Sequence, residues 1–136
     1  MNERRIFLKG SAAALTTLAL TTAAGSALAG GGNMTNIIYT SANPGKWGKK
    51  VGSHLPSITV NGGKVTVTTK HGMSAKHYIV RHTLVLEDGS VHGARTFSPT
   101  SAEAKSSFDL PAGYKGKLTA TSYCNLHDLW VNETTV

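Results

Sequence analysis

Residues 57–69 read SITVNGGKVTVTT, two runs rich in Val, Ile and Thr joined by Asn61-Gly62-Gly63. An Asn-Gly pair favours a tight β-hairpin turn, because both residues tolerate positive φ angles. Beyond the turn, residues 64–69 alternate between valine and polar side chains, as a strand with one buried face does. The stretch therefore predicts an antiparallel hairpin.

The rest of the chain repeats this pattern of short strand-forming runs separated by turn residues. Besides the hairpin, the expected strands are 77–86, 91–97, 107–110, 117–123 and 129–134. Turns at this spacing predict an all-β fold, an immunoglobulin-like β-sandwich of about seven antiparallel strands. Residues 74–76 could form one helical turn, and nothing there sustains a long helix.

The first 29 residues have the pattern of an export signal. A twin arginine, Arg4-Arg5, precedes a stretch rich in Ala, Leu and Thr that is too short and too weakly apolar to span a bilayer, which needs about 20 apolar residues. The small residues of Ala27-Leu28-Ala29 predict cleavage before Gly30. We therefore expect a signal peptide at 1–29, one mature domain at 30–136, no membrane anchor and a periplasmic location.

The chain is basic, with 14 Lys and Arg against 7 Asp and Glu, and removal of the leader lowers its net charge from +7 to +5. Such a balance suits nucleic acid, an acidic partner or a small anion, and export makes nucleic acid the least suitable of these. We therefore expect no nucleic acid partner. Residues 30–50 are rich in Gly, Asn, Ser and Lys, and we expect a tail that adds little to the core.

The single cysteine, Cys124, excludes an internal disulfide, and an unpaired thiol in an exported protein is open to oxidation unless burial or a metal protects it. His127 follows three residues later, so both side chains can reach one ion from a single turn. His71 and His77 bracket a glycine-containing loop, and His54 precedes a proline just ahead of a strand. These residues indicate a metal site, although a buried thiol beside a structural histidine remains the alternative.

Two further histidines lie elsewhere in the predicted strands. His82 is in the middle of a strand and His92 follows a hairpin turn. We expect both to be exposed, and neither to be a ligand. An immunoglobulin-like carrier or adhesion domain with incidental histidines is a second interpretation of the whole chain.

Two segments resemble the signature segments of the superoxide reductases, a family that includes desulfoferrodoxin and neelaredoxin: His71-Gly-Met-Ser-Ala-Lys-His77-Tyr-Ile and Tyr-Cys124-Asn-Leu-His127-Asp-Leu-Trp. His54-Leu-Pro is similar to a third, so the resemblance extends from about Lys46 to the C-terminus. It implies a mononuclear iron (Fe²⁺/Fe³⁺) with four histidine ligands, one axial cysteine and one open position. The implied ligands are His54, His71, His77, His127 and Cys124.

The same resemblance implies an oxidoreductase that reduces superoxide to hydrogen peroxide by one electron, as a homodimer or homotetramer. An external donor must supply the electron, and a periplasmic cytochrome or a rubredoxin-like protein is the candidate. The four-cysteine rubredoxin-like module of desulfoferrodoxin is absent from this sequence. Only the catalytic iron is therefore expected.

One departure concerns the Glu-Lys pair that precedes the first histidine in many members, where this chain has Gly52 and Ser53. Lys49, Lys50 and Lys76 are the candidates to attract superoxide in place of that lysine. No residue replaces the carboxylate. The departure leaves open a non-catalytic iron-binding or electron-transfer module. A dismutase that needs no external electron is a separate alternative.

Overall fold

The structure, a computed structural model, describes residues 37–136. The export signal expected at 1–29 lies outside these residues and stays a prediction. No helix within residues 37–136 is long and apolar enough to cross a membrane.

The described chain folds into two sheets and one short helical segment. A 3₁₀ helix, Gly45–Lys50, runs directly into the one-turn α-helix α1, Val51–His54. The strands are β1 Ile38–Tyr39, β2 Ser57–Asn61, β3 Lys64–Thr69, β4 Ile79–Val85, β5 Val91–Thr96, β6 Ala104–Asp109, β7 Lys117–Cys124 and β8 Asp128–Thr135.

The five-stranded sheet has the order β1-β8-β7-β4-β5, and the three-stranded sheet has the order β2-β3-β6. All pairs are antiparallel except β1 with β8, which run parallel. The predicted all-β fold is confirmed. The structure adds an eighth strand, β1, to the expected seven.

The hairpin predicted from residues 57–69 forms as expected. Asn61 pairs with Lys64 across a two-residue turn. Gly62 and Gly63 have φ angles of 56° and 81°. A turn with two positive φ angles matches the twist of the flanking strands, and glycine adopts it without steric cost.

The apolar core lies between the two sheets. One fully buried cluster joins β3 of the smaller sheet to β4 and β7 of the larger one: Val65, Val67, Leu84, Leu118 and Ala120. A second cluster contains Ile79, Phe97, Ala104 and Cys124. The only cysteine is therefore anchored in the packed interior, where its side chain is 0% exposed.

The segment before β2 is more ordered than a tail. Tyr39 is only 1% exposed, and its ring centroid lies 5.4 Å from that of Trp130. The expectation that residues 30–50 add little to the core is wrong at this position, because strand pairing with β8 brings Tyr39 against a distant tryptophan. Residues 74–76 form no helical turn, and the described helical residues lie at 45–54 instead.

His82 is buried, which corrects the expectation of an exposed histidine. Its Nε2 lies 2.9 Å from Thr69 Oγ1, and its Nδ1 lies 2.9 Å from Ser106 Oγ. Thr69 donates its own hydroxyl proton to Ser122 at 2.7 Å, so it accepts from His82 Nε2–H. The ring is held in one neutral tautomer between the sheets. The local sequence does not indicate this, because the two partners come from two other strands, β3 and β6.

Candidate metal centre

Three segments bring the predicted ligands to one end of the sandwich. His54 is the last residue of α1, and His71 and His77 lie in the loop between β3 and β4. Cys124 is the last residue of β7, and His127 lies in the turn that follows it. The five residues that the sequence indicated are thus close together.

The turn between β7 and β8 directs Cys124 and His127 to the same side. Cys124 pairs with Asp128 across three intervening residues, and Asp128 has a φ of 58°. A hairpin of this length commonly closes with one residue in the left-handed region. Trp130 Nε1 donates to the His127 carbonyl oxygen at 3.0 Å. As a result, Cys124 Sγ lies 3.5 Å from His127 Nδ1.

The histidine loop is tied to this turn by Asn125. Its side-chain oxygen accepts from Tyr78 N at 3.0 Å, and its Nδ2 donates to the Lys76 carbonyl oxygen at 3.0 Å. The β4–β7 pairing also shifts register between Ile79 and Arg81, beside Cys124. Such bulges redirect a strand next to functional sites. The loop that carries His77 is therefore fixed against the turn that carries Cys124.

The ring nitrogens of the four histidines converge. His127 Nδ1 lies 2.9 Å from His54 Nε2 and 3.0 Å from His77 Nε2. His77 Nε2 lies 3.0 Å from His71 Nε2. The ligand atoms of His54, His77, Cys124 and His127 all lie within 4.8 Å of one another. His71 lies outside this four-residue group and contacts it through His77 Nε2.

Hydrogen bonds cannot account for this convergence. An imidazole nitrogen has one in-plane proton or one lone pair, so it serves one partner well. His127 Nδ1 faces two ring nitrogens and a sulfur, and His77 Nε2 faces two ring nitrogens. Metal–imidazole bonds are about 2.1 Å long, so adjacent nitrogens at right angles lie about 3 Å apart. The spacings of 2.9–3.0 Å fit that arrangement, and the residues fit a single metal ion.

Burial keeps the imidazoles of the site neutral, which is the form that binds a metal ion. Burial first, and then the neighbouring imidazoles of His71, His127 and His77, lower the pKa of His54 to about 4. Burial first, and His77 second, also lower the pKa of His71 and of His127. Neutral imidazoles offer their lone pairs to a metal. Burial raises the pKa of the Cys124 thiol, so metal binding would release its proton.

One side of the site is open. Cys124, His54 and His127 are buried, whereas His71 and His77 are half-buried. His54, His71 and His77 line a surface cleft of about 340 Å³. An enclosed thiolate and an open face leave one direction from which a small ligand can approach.

Two lysines, Lys50 and Lys70, also line this cleft. Of the three lysines indicated by the sequence, only Lys50 does so among the described residues, while Lys49 and Lys76 lie outside the lining. Lys70 was missed, although it directly precedes His71 just as Lys76 directly precedes His77.

Two tryptophans form walls of the site. The ring centroids of Trp47 and His127 lie 4.5 Å apart in an edge-on contact. The ring centroids of the buried Trp130 and of His54 lie 5.7 Å apart. Trp47 was also missed, because it belongs to the segment that the composition indicated as a tail.

Together, the fold and the site define a β-sandwich metalloprotein with a mononuclear histidine–cysteine centre. The family model described as Desulfoferrodoxin matches residues 46–133. This chain belongs to that family, the superoxide reductases.

Individual relatives agree with this assignment. A variant of the superoxide reductase (neelaredoxin) from Ignicoccus hospitalis superposes with a TM-score of 0.66 and 31% identity, covering 73% of this chain and 92% of that one. A superoxide reductase (1Fe-SOR) from Giardia intestinalis gives 0.55 and 28%, covering 62% and 98%. An Archaeoglobus fulgidus protein provisionally named a superoxide reductase is 32% identical over 116 residues, 66% of this chain and 91% of its own length. The family uses a mononuclear iron, and the convergent donor set suits one.

Proposed function

We propose that this protein is a superoxide reductase that protects its host against oxidative stress. In the reaction, superoxide takes up one electron and two protons to give hydrogen peroxide. The observation that carries the proposal is the convergence of three imidazole nitrogens and one thiol sulfur beside an open cleft, in a member of the superoxide reductase family. A fourth imidazole nitrogen, His71 Nε2, lies 3.0 Å from His77 Nε2.

We assign the iron ligands to the five convergent residues. The donor atoms are Nε2 of His54, His71 and His77, Nδ1 of His127 and Sγ of Cys124. When bound, the iron supplies the single electron that superoxide receives, and a thiolate ligand favours that transfer.

The remaining residues of the cleft attract the substrate. Superoxide is a small anion, and a positively charged cleft raises its encounter rate. Lys50 and Lys70 line the cleft, and among the described residues its lining includes no acidic side chain. The charge of Lys50 contributes to lowering the pKa of both His71 and His127, which indicates that its field reaches the ligands. Lys49 and Lys76 add positive charge to the surroundings. The open cleft admits the water that delivers the two protons.

The setting of the protein is also part of the proposal. The twin-arginine pattern supports a signal peptide at 1–29, a mature domain at 30–136 and action in the periplasm. The electron would then come from a periplasmic cytochrome or a rubredoxin-like protein. We expect the mature protein to act as a homodimer or homotetramer.

Superoxide consumption by iron-loaded mature protein with excess reductant tests the proposal. We expect one electron consumed and one peroxide formed per superoxide, with activity lost in Cys124→Ser and retained in Ser107→Ala, a matched change on the exposed face of β6. Superoxide loss without reductant, accompanied by oxygen release, would instead show a dismutase.

A second candidate is a non-catalytic iron-binding or electron-transfer module. It is favoured by Gly52 and Ser53, which stand where many members have Glu-Lys. Stoichiometric iron without superoxide consumption in the same assay would establish it.

A further inference from the structure

Ser53 contacts the one ligand that comes from outside the β-strands and their loops. The short helix α1 places its hydroxyl directly beside the ring of His54. His54 Nδ1 lies 2.8 Å from Ser53 Oγ, and Ser53 Oγ donates to the Lys50 carbonyl oxygen at 3.2 Å. A relay of two hydrogen bonds therefore runs from the main chain to the imidazole.

The direction of this relay follows from the proposed role of His54. A metal bound at Nε2 requires the tautomer with the proton on Nδ1, and in that tautomer Ser53 Oγ accepts from His54 Nδ1–H at 2.8 Å. The hydroxyl proton of Ser53 is then directed at the Lys50 carbonyl oxygen. The proton on Nδ1 leaves the lone pair on Nε2, which is the atom directed at the other ligands. The relay thus supplies an acceptor for the tautomer that can bind a metal.

We propose that Ser53 is a positioning residue for the iron centre, one that fixes the tautomer and ring orientation of His54. This inference rests on the proposed function, since it requires that His54 Nε2 binds the iron. It gives a role to one of the two positions at which the chain departs from the Glu-Lys pattern. Ser53 then does more than replace the lysine of other members, because its hydroxyl contacts the ring of a proposed ligand directly.

Hydrogen bonds to the second ring nitrogen of a metal-binding histidine have a measurable effect on metal affinity. Metal-binding histidines usually donate their second ring N–H to a fixed acceptor, and loss of that acceptor typically lowers metal affinity 10–100-fold. Residue 52 is a glycine and has no side chain to act as acceptor, so the Lys50 main chain is the other group that interacts with the His54 ring.

The test compares Ser53→Ala with Ser53→Thr, which keeps the hydroxyl, and with Ser107→Ala as the matched control. Fe²⁺ affinity is measured by competition with a chelator, and the reduction potential and the thiolate-to-iron absorption band are recorded on the loaded proteins. We expect Ser53→Ala to bind Fe²⁺ about 10–100-fold more weakly, with a shifted potential and band. Ser53→Thr should recover the wild-type values, and Ser107→Ala should not change them.

Wild-type affinity, potential and spectrum in Ser53→Ala would overturn the positioning role. So would a Ser53→Thr variant that keeps its wild-type unfolding midpoint but binds as weakly as Ser53→Ala. The affinity comparison does not depend on turnover, so a protein that binds iron without reducing superoxide contradicts the proposed function alone. A wild-type protein that binds no iron contradicts both.

Discussion

Two regions of this molecule bury histidines in different ways. His82, between the sheets, has one hydroxyl partner for each ring nitrogen. His54, at the end of the sandwich, belongs to a group in which a single nitrogen, His127 Nδ1, faces three other donor atoms. The pKa of both His82 and His54 is lowered to about 4, with burial as the largest cause in each case, so the pKa alone does not distinguish them. The number of partners per ring nitrogen does distinguish them. Each ring nitrogen of the structural histidine has one hydrogen-bond partner, whereas a nitrogen in the ligand group has more neighbours than one hydrogen bond can serve.

Replacing a ligand should abolish metal binding while leaving the fold intact. His77 lies half-buried in a loop, so His77→Ala removes one donor without opening the core. We expect Fe²⁺ affinity to fall more than about 100-fold, because even outer-shell changes cost 10–100-fold. The unfolding midpoint of the metal-free protein should stay near that of the wild type. Chelator competition and urea unfolding measure the two effects, and an unchanged affinity would remove His77 from the site.

Replacing His82 should destabilise the fold while leaving metal binding intact. His82→Ala leaves a cavity and removes the partners of Thr69 and Ser106, which should destabilise the metal-free protein by about 3 kcal/mol. Iron affinity of the folded protein should be unchanged. His92→Ala, at a half-buried position on β5, is the control and should cost about 1 kcal/mol or less. Loss of iron binding in His82→Ala at a temperature where it is folded would contradict the division between the two regions.

The protonation of His82 should make stability depend on pH. Burial, and then the positive charge of Arg95, lower its pKa from 6.5 to about 4 in the folded state. As the pH falls from 6.5 to 4, the unfolded chain binds a proton that the folded one refuses, so stability is lost over that window. The loss should reach about 3 kcal/mol by pH 4. Because other histidines titrate too, the measurement is the difference in pH dependence between wild type and His82→Gln, and equal slopes would count against a neutral His82.

Removing positive charge from the cleft should slow the reaction without affecting the metal. Lys50→Gln with Lys70→Gln should lower the second-order rate constant for superoxide about tenfold at low salt, and the salt dependence of the rate should weaken. Iron affinity should remain at the wild-type value. Lys49→Gln, outside the cleft lining, is the matched control and should have a smaller effect. Equal rates in all variants at low salt would show that the cleft lysines do not steer superoxide.

Glycines in the two regions should differ in how they accept a methyl group. A Cβ atom at Gly52 would have no neighbour within 4 Å, so Gly52→Ala should stabilise α1 by about 0.5 kcal/mol. At Gly93 it would lie 2.5 Å from Phe108 Cδ1, so Gly93→Ala should be destabilising. Urea unfolding of both variants checks the sign. A destabilised Gly52→Ala would mean that α1 is packed more tightly at this position than the structure indicates.

The sequence was informative wherever a local signal was strong. The Asn-Gly-Gly turn at 61–63 located the first hairpin. The spacing of Cys124 and His127 indicated that one turn could carry two metal ligands. The features that could not be predicted from the sequence depend on contacts with residues far away along the chain. The burial of His82 requires hydroxyls on β3 and β6, and the burial of Tyr39 requires Trp130 on β8. The resemblance, rather than periodicity, supplied the identity of the ligands.

Crystallography of the iron-loaded mature protein, with anomalous diffraction at the iron edge, tests the central claim most directly. We expect one iron per chain in contact with Nε2 of His54, His71 and His77, Nδ1 of His127 and Sγ of Cys124, with its free side facing the cleft lined by Lys50 and Lys70. An iron bound elsewhere, or one that lacks the Cys124 sulfur, would contradict the account.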